Sequence, residues 1–144
     1  MSLPQVQGWM IDYRTAHLIF ASKSNVRIDH CMVQCQAGRL HICHHEERRF
    51  REDALLKGPF IDGQCCIYEP DEDIYERCPA VRDAANGKPL LVGSDAAIFI
   101  TATALARQFG VISDHLSPRF ATVHDLCAVY GVPVLTADQY FALA

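Results

Sequence analysis

The 144-residue chain lacks the features that mark several broad classes of protein. It has no run of 18 or more apolar residues, so we expect no membrane-spanning helix. The N-terminal segment MSLPQVQGWMIDYRT has no basic region followed by an apolar stretch, so we expect no signal peptide and a cytoplasmic location. A surplus of positive charge is missing too, since the net charge is −4. Any contact with nucleic acid therefore has to be local and cannot use a broadly basic face.

Signatures of nucleophilic and nucleotide-dependent enzymes are also missing. The chain has no GxSxG motif, and Gly87 to Pro89 lacks the rest of a phosphate-binding loop. Its seven cysteines are expected to be reduced thiols rather than a disulfide framework. The segment HICHHEE holds zinc-ligand types but no CxxC pair, so a zinc-stabilised binding domain is only an alternative interpretation.

Half of the residues are apolar, which suits one domain with its own core over residues 1–144. Apolar patterning predicts five short strands, at residues 8–11, 39–43, 64–68, 111–113 and 132–135. Helices are predicted at residues 13–24, 28–36, 44–56, after Pro70 to about 85, 95–109, 118–130 and from 137 onward. Because strands and helices alternate, the sequence predicts an α/β fold with a mostly parallel sheet.

Four acidic positions fall where a strand ends or a helix begins: Asp12, Glu46 or Glu47, Asp95 and Asp114. The carboxyl ends of parallel strands meet at one edge of a sheet, where ligands gather. A helix from Asp95 spans about 22 Å, and the strand after it returns by a right-handed crossover, which carries Asp114 back toward Asp95. Several close carboxylates repel one another without a cation, and Mg²⁺ is bound through oxygen. The pattern predicts a Mg²⁺ or Mn²⁺ site, although each acid alone is equally typical of a cap or turn.

Three segments of the chain resemble PIN domains, the PilT N-terminus nuclease domains. SDAAIFITATALARQFGVISDH resembles their C-terminal half, in which an aspartate opens an alanine-rich helix, a glycine ends it and a short apolar strand leads to a second aspartate. GVPVLTADQYFAL resembles the closing strand and helix of the family. WMIDYRTAHLI resembles its opening strand with the first aspartate.

This resemblance implies a three-layer α/β/α sandwich and a metal-dependent endoribonuclease, often the toxin of a toxin–antitoxin pair. By position, Asp12 matches the first acid of the family, Asp95 the third and Asp114 the fourth, and all would serve both the metal and catalysis. The family also implies an RNA substrate, an antitoxin protein as partner and a homodimer, and the lack of a long apolar run argues against a membrane partner.

The second acid stays open between two neighbours. Leu40 as the last inward-facing residue of its strand favours Glu47, which we take as the catalytic residue, whereas a shorter link between strand and helix favours Glu46. Where the family commonly has a small hydroxyl or amide residue, this chain has Arg14. That departure supports an alternative, in which a catalytically decayed PIN-like module binds protein or RNA.

The candidate contacts to RNA are basic side chains near these acids: Arg14, Arg48, Arg49, Arg51 and His115. Arginines can anchor the phosphates of a nucleic acid backbone. The three arginines between residues 48 and 51 are equally typical of a solvated helix face that pairs with glutamates. His115 is more typical of a surface loop.

Overall fold

The computed structural model of the chain describes residues 2–63, 65–85, 88–90 and 95–144. Five strands form one sheet: β1 (Trp9–Ile11), β2 (Leu40–Cys43), β3 (Cys66–Tyr68), β4 (Gly110–Ile112) and β5 (Val134–Leu135). Their order across the sheet is β3-β2-β1-β4-β5, and every neighbouring pair is parallel. The predicted α/β fold with a parallel central sheet is confirmed.

The described residues form seven α-helices: α1 (Tyr13–Ala21), α2 (Asn25–Gln36), α3 (Glu47–Glu52), α4 (Glu72–Asp83), α5 (Asp95–Arg107), α6 (Val123–Tyr130) and α7 (Ala137–Leu143). A 3₁₀ turn, His44–Glu46, leads into α3, and a π-helical turn, Lys57–Asp62, follows it. Within these described ranges, no helix is both long and apolar enough to cross a membrane.

The helices cover both faces of the sheet and so complete the three-layer sandwich. Successive side chains of a strand point to opposite faces, and in β1 Trp9 and Ile11 enter one core while Met10 enters the other. The first core is closed by α1, α2, α3 and α7, and the second by α4, α5 and α6. Because both faces are covered, the strands are mostly apolar rather than alternating with polar residues, with His41 of β2 as a buried exception.

Several helix ends differ from those that the sequence predicts. The helix α5 ends at Arg107 because Gln108 takes a φ of 59°, and Gly110 belongs to β4 instead of stopping the helix. A Cβ on Gly110 would lie 2.4 Å from the Trp9 side chain, so glycine is needed here for close approach of β1. The predicted cap Ser94 and the strand residue Gln64 lie outside the described residues.

Other predicted helices are also shorter in the structure, and α1 ends at Ala21 rather than at residue 24. The helix predicted over residues 44–56 is divided, since α3 ends where Asp53 takes an extended conformation. The helix α6 starts at Val123, because Thr122 and Asp125 form a capping box there. Pro118 lies before the helix and not at its first turn.

Candidate active site

A cleft of about 610 Å³ lies at the carboxyl edge of the sheet. Asp12 follows β1, Glu46 lies in the turn after β2, His115 follows β4, and all three line the cleft. The facing wall comes from the start of α5 and the segment that enters α6: Ala96, Ala97, Ile100, Ala121, Thr122 and Val123. This is the edge at which open α/β sheets bind ligands.

Asp12 is held in one orientation by hydrogen bonds to both carboxylate oxygens. It is the N-cap of α1, and its Oδ1 accepts the Thr15 N–H at 2.8 Å. Its Oδ2 accepts the hydroxyl of Ser113, which follows β4. Asp12 therefore caps a helix, as many aspartates do, and also joins the ends of β1 and β4 at the cleft.

Glu46 is buried at the cleft with little positive charge near it. Its side chain is 7% exposed, and its Oε1 accepts the Tyr13 N–H at 3.1 Å. Its one salt bridge among the described residues joins Oε2 to Arg49 at 4.0 Å. Burial, and then the charge of Asp12, raise the pKa of Glu46 to about 8 from an ordinary 4.5. The pair of carboxylates therefore lacks the positive charge that full ionisation at neutral pH requires.

Glu47, which the sequence analysis takes as the catalytic glutamate, does not line the cleft. It accepts from Arg51 Nη2 at 2.7 Å and lies 3.7 Å from His44 Nδ1. The 3₁₀ turn directly after β2 makes the short link that favours Glu46. Of the two glutamates left open by the sequence, the structure therefore places Glu46 at the site.

The other two predicted acids lie outside the lining of the cleft. Asp95 is exposed at the start of α5, although the two alanines after it line the cleft. Asp114 donates its N–H to Thr15 Oγ1 at 2.8 Å, and its Oδ1 accepts the Ala137 N–H at 2.7 Å, at the start of α7. In the described part of the chain, no group of three or more His, Cys, Asp or Glu side chains is placed to hold a metal ion. Of the four predicted acidic positions, the structure places Asp12 and Glu46 in the lining of the cleft and Asp95 and Asp114 outside that lining.

The pair of carboxylates nevertheless fits one kind of metal site. Mg²⁺ keeps several of its waters and is usually bound through one or two carboxylates plus substrate phosphates. Asp12 and Glu46 supply two hard oxygen ligands beside an open cleft. A bound cation would also favour the ionised form of the buried Glu46 carboxyl.

The predicted basic residues divide into two groups. Arg14, Arg49 and His115 line the cleft. Arg48 and Arg51 instead lie on the outer face of α3 and form (i, i+4) ion pairs, Arg51 with Glu47 and Arg48 with Glu52 at 3.0 Å. Glu52 itself lines the cleft, but neither arginine does. Only the first group is placed to meet a ligand in the cleft.

Sequence reasoning missed Tyr13, Glu52 and Asp53, which also line the cleft. The Tyr13 hydroxyl donates to Asp53 Oδ2 at 2.7 Å. Tyr13 directly follows Asp12, and that adjacency could have indicated it. Asp53 carried no such signal, because its position depends on α3 ending at Glu52 rather than continuing to residue 56.

No family model matches the chain, and it shows no match to a curated protein or to a solved structure. The resemblance to PIN domains stays a prediction that rests on the three sequence segments.

Proposed function

We propose that this protein is a divalent-cation-dependent nuclease that hydrolyses RNA phosphodiester bonds at the Asp12–Glu46 pair. The observation that carries this proposal is the buried Glu46 carboxyl beside Asp12 at the cleft, with Arg49 4.0 Å away as its counter-charge. Ionising both groups in that position costs folding free energy unless a positively charged ligand offsets it. Strongly perturbed carboxyl groups in a cleft are characteristic of functional sites.

In this proposal each residue at the cleft has a separate role. Asp12 and Glu46 would hold Mg²⁺ or Mn²⁺, which when bound stabilises the charge that builds on the phosphate and the leaving oxygen. Ser113 and the Thr15 N–H hold Asp12 in place beforehand, so its carboxylate needs no reorientation. Arg14 and Arg49 line the same cleft, and guanidinium groups bind phosphate oxygens through two hydrogen bonds at once.

The resemblance to PIN domains supports the finer parts of the proposal. It names RNA as the substrate and adds an antitoxin protein, a homodimer and a cytoplasmic location. In a chain with a net charge of −4, two arginines line a cleft that also holds four acidic residues, so a contact with phosphate would be local to Arg14 and Arg49. A bound cation would further reverse the sign of the acidic part of that cleft.

The test is cleavage of a single-stranded RNA oligonucleotide by wild type and Asp12→Asn, each with Mn²⁺ and with EDTA. Asparagine caps helices about as well as aspartate, so the variant is expected to fold. We expect Mn²⁺-dependent cleavage by wild type and a loss of at least ~100-fold in Asp12→Asn. Asp138→Asn is the matched control, because Asp138 is an exposed acid that pairs with Arg27 away from the cleft. Undiminished cleavage by Asp12→Asn contradicts the proposal.

A decayed module that binds RNA or protein is the second candidate. It is favoured by Arg14 at the cleft and by the positions of Asp95 and Asp114 outside it. Thermal melts separate the two candidates, because a ligand that binds only the folded state raises the melting temperature. A rise with Mn²⁺ in wild type that is lost in Asp12→Asn supports the nuclease. No rise, together with retained RNA binding, supports the module.

A further inference from the structure

A second polar cluster, made of Tyr13, His17 and Asp53, adjoins the cleft. Asp53 Oδ2 accepts the Tyr13 hydroxyl at 2.7 Å and lies 2.6 Å from His17 Nδ1. Its Oδ1 accepts the Leu55 N–H at 2.9 Å. The side chain of Asp53 is 8% exposed, whereas that of His17 is 41% exposed. A buried carboxylate thus orients an imidazole ring that solvent can reach.

The hydrogen bonds decide which ring nitrogen of His17 can meet a ligand. Burial alone would raise the pKa of Asp53, but the hydrogen bonds from Tyr13, His17 and Leu55 outweigh it and lower this pKa. Asp53 is therefore ionised at neutral pH and accepts from His17, so Nδ1 carries a proton and Nε2 is left for a ligand. Tyr13 keeps its proton, since its hydrogen bond to Asp53 raises the pKa of its hydroxyl.

The position of His17 on α1 relates this ring to the acid pair. Tyr13 binds Glu46 through its N–H, and Arg14 beside it lines the cleft. His17 lies four residues further along α1, a rise of about 6 Å, on the same side of the helix as Tyr13. His17 does not itself line the cleft, so it is placed to meet a neighbouring part of a bound ligand and not the bond held at Asp12 and Glu46.

We propose that His17, oriented by Asp53, and Arg14 bind a backbone phosphate adjacent to the one that is cleaved. This inference rests on the proposed nuclease function and specifies its substrate as an RNA strand that extends along α1, not a mononucleotide. A protonated imidazole and a guanidinium both donate charge-assisted hydrogen bonds to phosphate oxygens. The Arg14 side chain is exposed, and it forms no salt bridge with the residues that the structure describes.

The experiment measures binding of a fluorescein-labelled single-stranded RNA oligonucleotide by anisotropy, with Ca²⁺ as the divalent ion, across a range of salt concentrations. We expect His17→Gln and Arg14→Gln each to weaken binding roughly threefold to tenfold. Each should also reduce the slope of log K against log salt by about 0.7, the loss of one phosphate contact on a single strand. A side chain with a purely structural role would leave that slope unchanged.

Arg82→Gln is the control, because Arg82 is exposed on α4 and does not line the cleft. Its affinity and slope should equal those of wild type. If His17→Gln folds poorly, Arg14→Gln tests the same subsite from a side chain that is exposed. Wild-type affinity and slope in both variants, or no RNA binding by wild type, overturn the phosphate subsite. Thermal melts with Mn²⁺ and RNA cleavage assays test the proposed function separately. RNA binding that depends on His17, without any cleavage, supports the phosphate subsite and overturns the nuclease proposal.

Discussion

At the carboxyl edge of the sheet, the acid that follows β4 and the acid that follows β2 differ in how many hydrogen bonds and positive charges surround them. After β4, Asp114 accepts the Ala137 N–H and donates its own N–H to Thr15, so its polar groups are satisfied within the chain. After β2, Glu46 is buried with one backbone hydrogen bond and an arginine 4.0 Å away. An acid whose hydrogen bonds are complete stabilises the fold. An acid buried with too little positive charge is typical of functional sites.

The largest expected effect is a difference in RNA cleavage between variants of Glu46 and of its neighbour Glu47. We expect Glu46→Gln to lower Mn²⁺-dependent RNA cleavage by at least ~100-fold, since it removes one of two proposed ion ligands. Glu47→Gln is the matched control, because it makes the same chemical change one residue away, where the carboxylate pairs with Arg51. Cleavage and Mn²⁺ affinity measured in parallel decide the comparison. A larger loss in Glu47→Gln would move the site to the outer face of α3 and refute the assignment of Glu46.

The raised pKa of Glu46 predicts that folding stability falls as the pH rises from about 4.5 to about 8. In this window the folded protein keeps a proton on Glu46 that the unfolded chain releases, so the free energy of unfolding decreases with pH. The decrease from this group is at most about 1.4 kcal/mol per pH unit. Urea unfolding of wild type and Glu46→Gln at pH 5 and at pH 8 measures it, because glutamine does not titrate.

The comparison with Glu46→Gln is needed because other groups act in the same range. Burial lowers the pKa of His30, His41 and His45, and these residues make stability rise with pH below their ordinary value of 6.5. The difference between the two proteins cancels that contribution. Saturating Mn²⁺ should recover much of the wild-type stability at pH 8, since a cation favours the ionised carboxylates. The same pH dependence with and without Glu46 would show that this carboxyl titrates normally and needs no ligand.

The fold and the first acid could be predicted from the sequence because both depend on local patterns. The apolar run before Asp12 is typical of a buried parallel strand. Because a helix follows that strand, Asp12 is expected at the carboxyl edge of the sheet. The choice between Glu46 and Glu47 could not be predicted. A three-residue 3₁₀ turn separates β2 from α3. Neighbouring residues of a helix point about 100° apart, so the local turn decides which of the two glutamates faces the cleft.

Asp53 and Asp114 illustrate a second limit of prediction from sequence. Asp53 reaches Tyr13 and His17 across 40 and 36 residues of chain, and Asp114 reaches Ala137 across 23. These partners depend on how helices end and dock against the sheet, which tertiary packing decides rather than local propensity. It is therefore easier to predict that an acid lies at the correct edge of the sheet than to predict whether neighbouring groups in the fold already satisfy its hydrogen bonds.

A smaller effect is expected for Asp114, whose carboxylate serves the start of α7. Asp114→Ala should destabilise the protein by about 1 kcal/mol, because the Ala137 N–H loses its acceptor near a helix N-terminus. Asp114→Asn keeps an acceptor oxygen and should recover most of that loss. Denaturant unfolding measures both variants, and Mn²⁺ affinity should stay within about threefold of wild type. Loss of Mn²⁺ binding in a stable Asp114→Asn protein would restore the four-acid site that the sequence predicts.

The smallest effects should come from the arginines on the outer face of α3. Arg48 is 89% exposed and pairs with Glu52, so Arg48→Gln should change stability by only about 0.2–0.5 kcal/mol. It should also leave the salt dependence of RNA binding unchanged, because its guanidinium does not line the cleft. Arg49→Gln is the informative partner, since Arg49 lies on the same short helix but faces Glu46 and the Tyr13 ring. If both variants reduce the salt slope by about 0.7, the value for one phosphate contact, then the RNA path crosses the outer face of α3. In that case the outer face of α3 belongs to the RNA-binding site together with the Asp12–Glu46 pair.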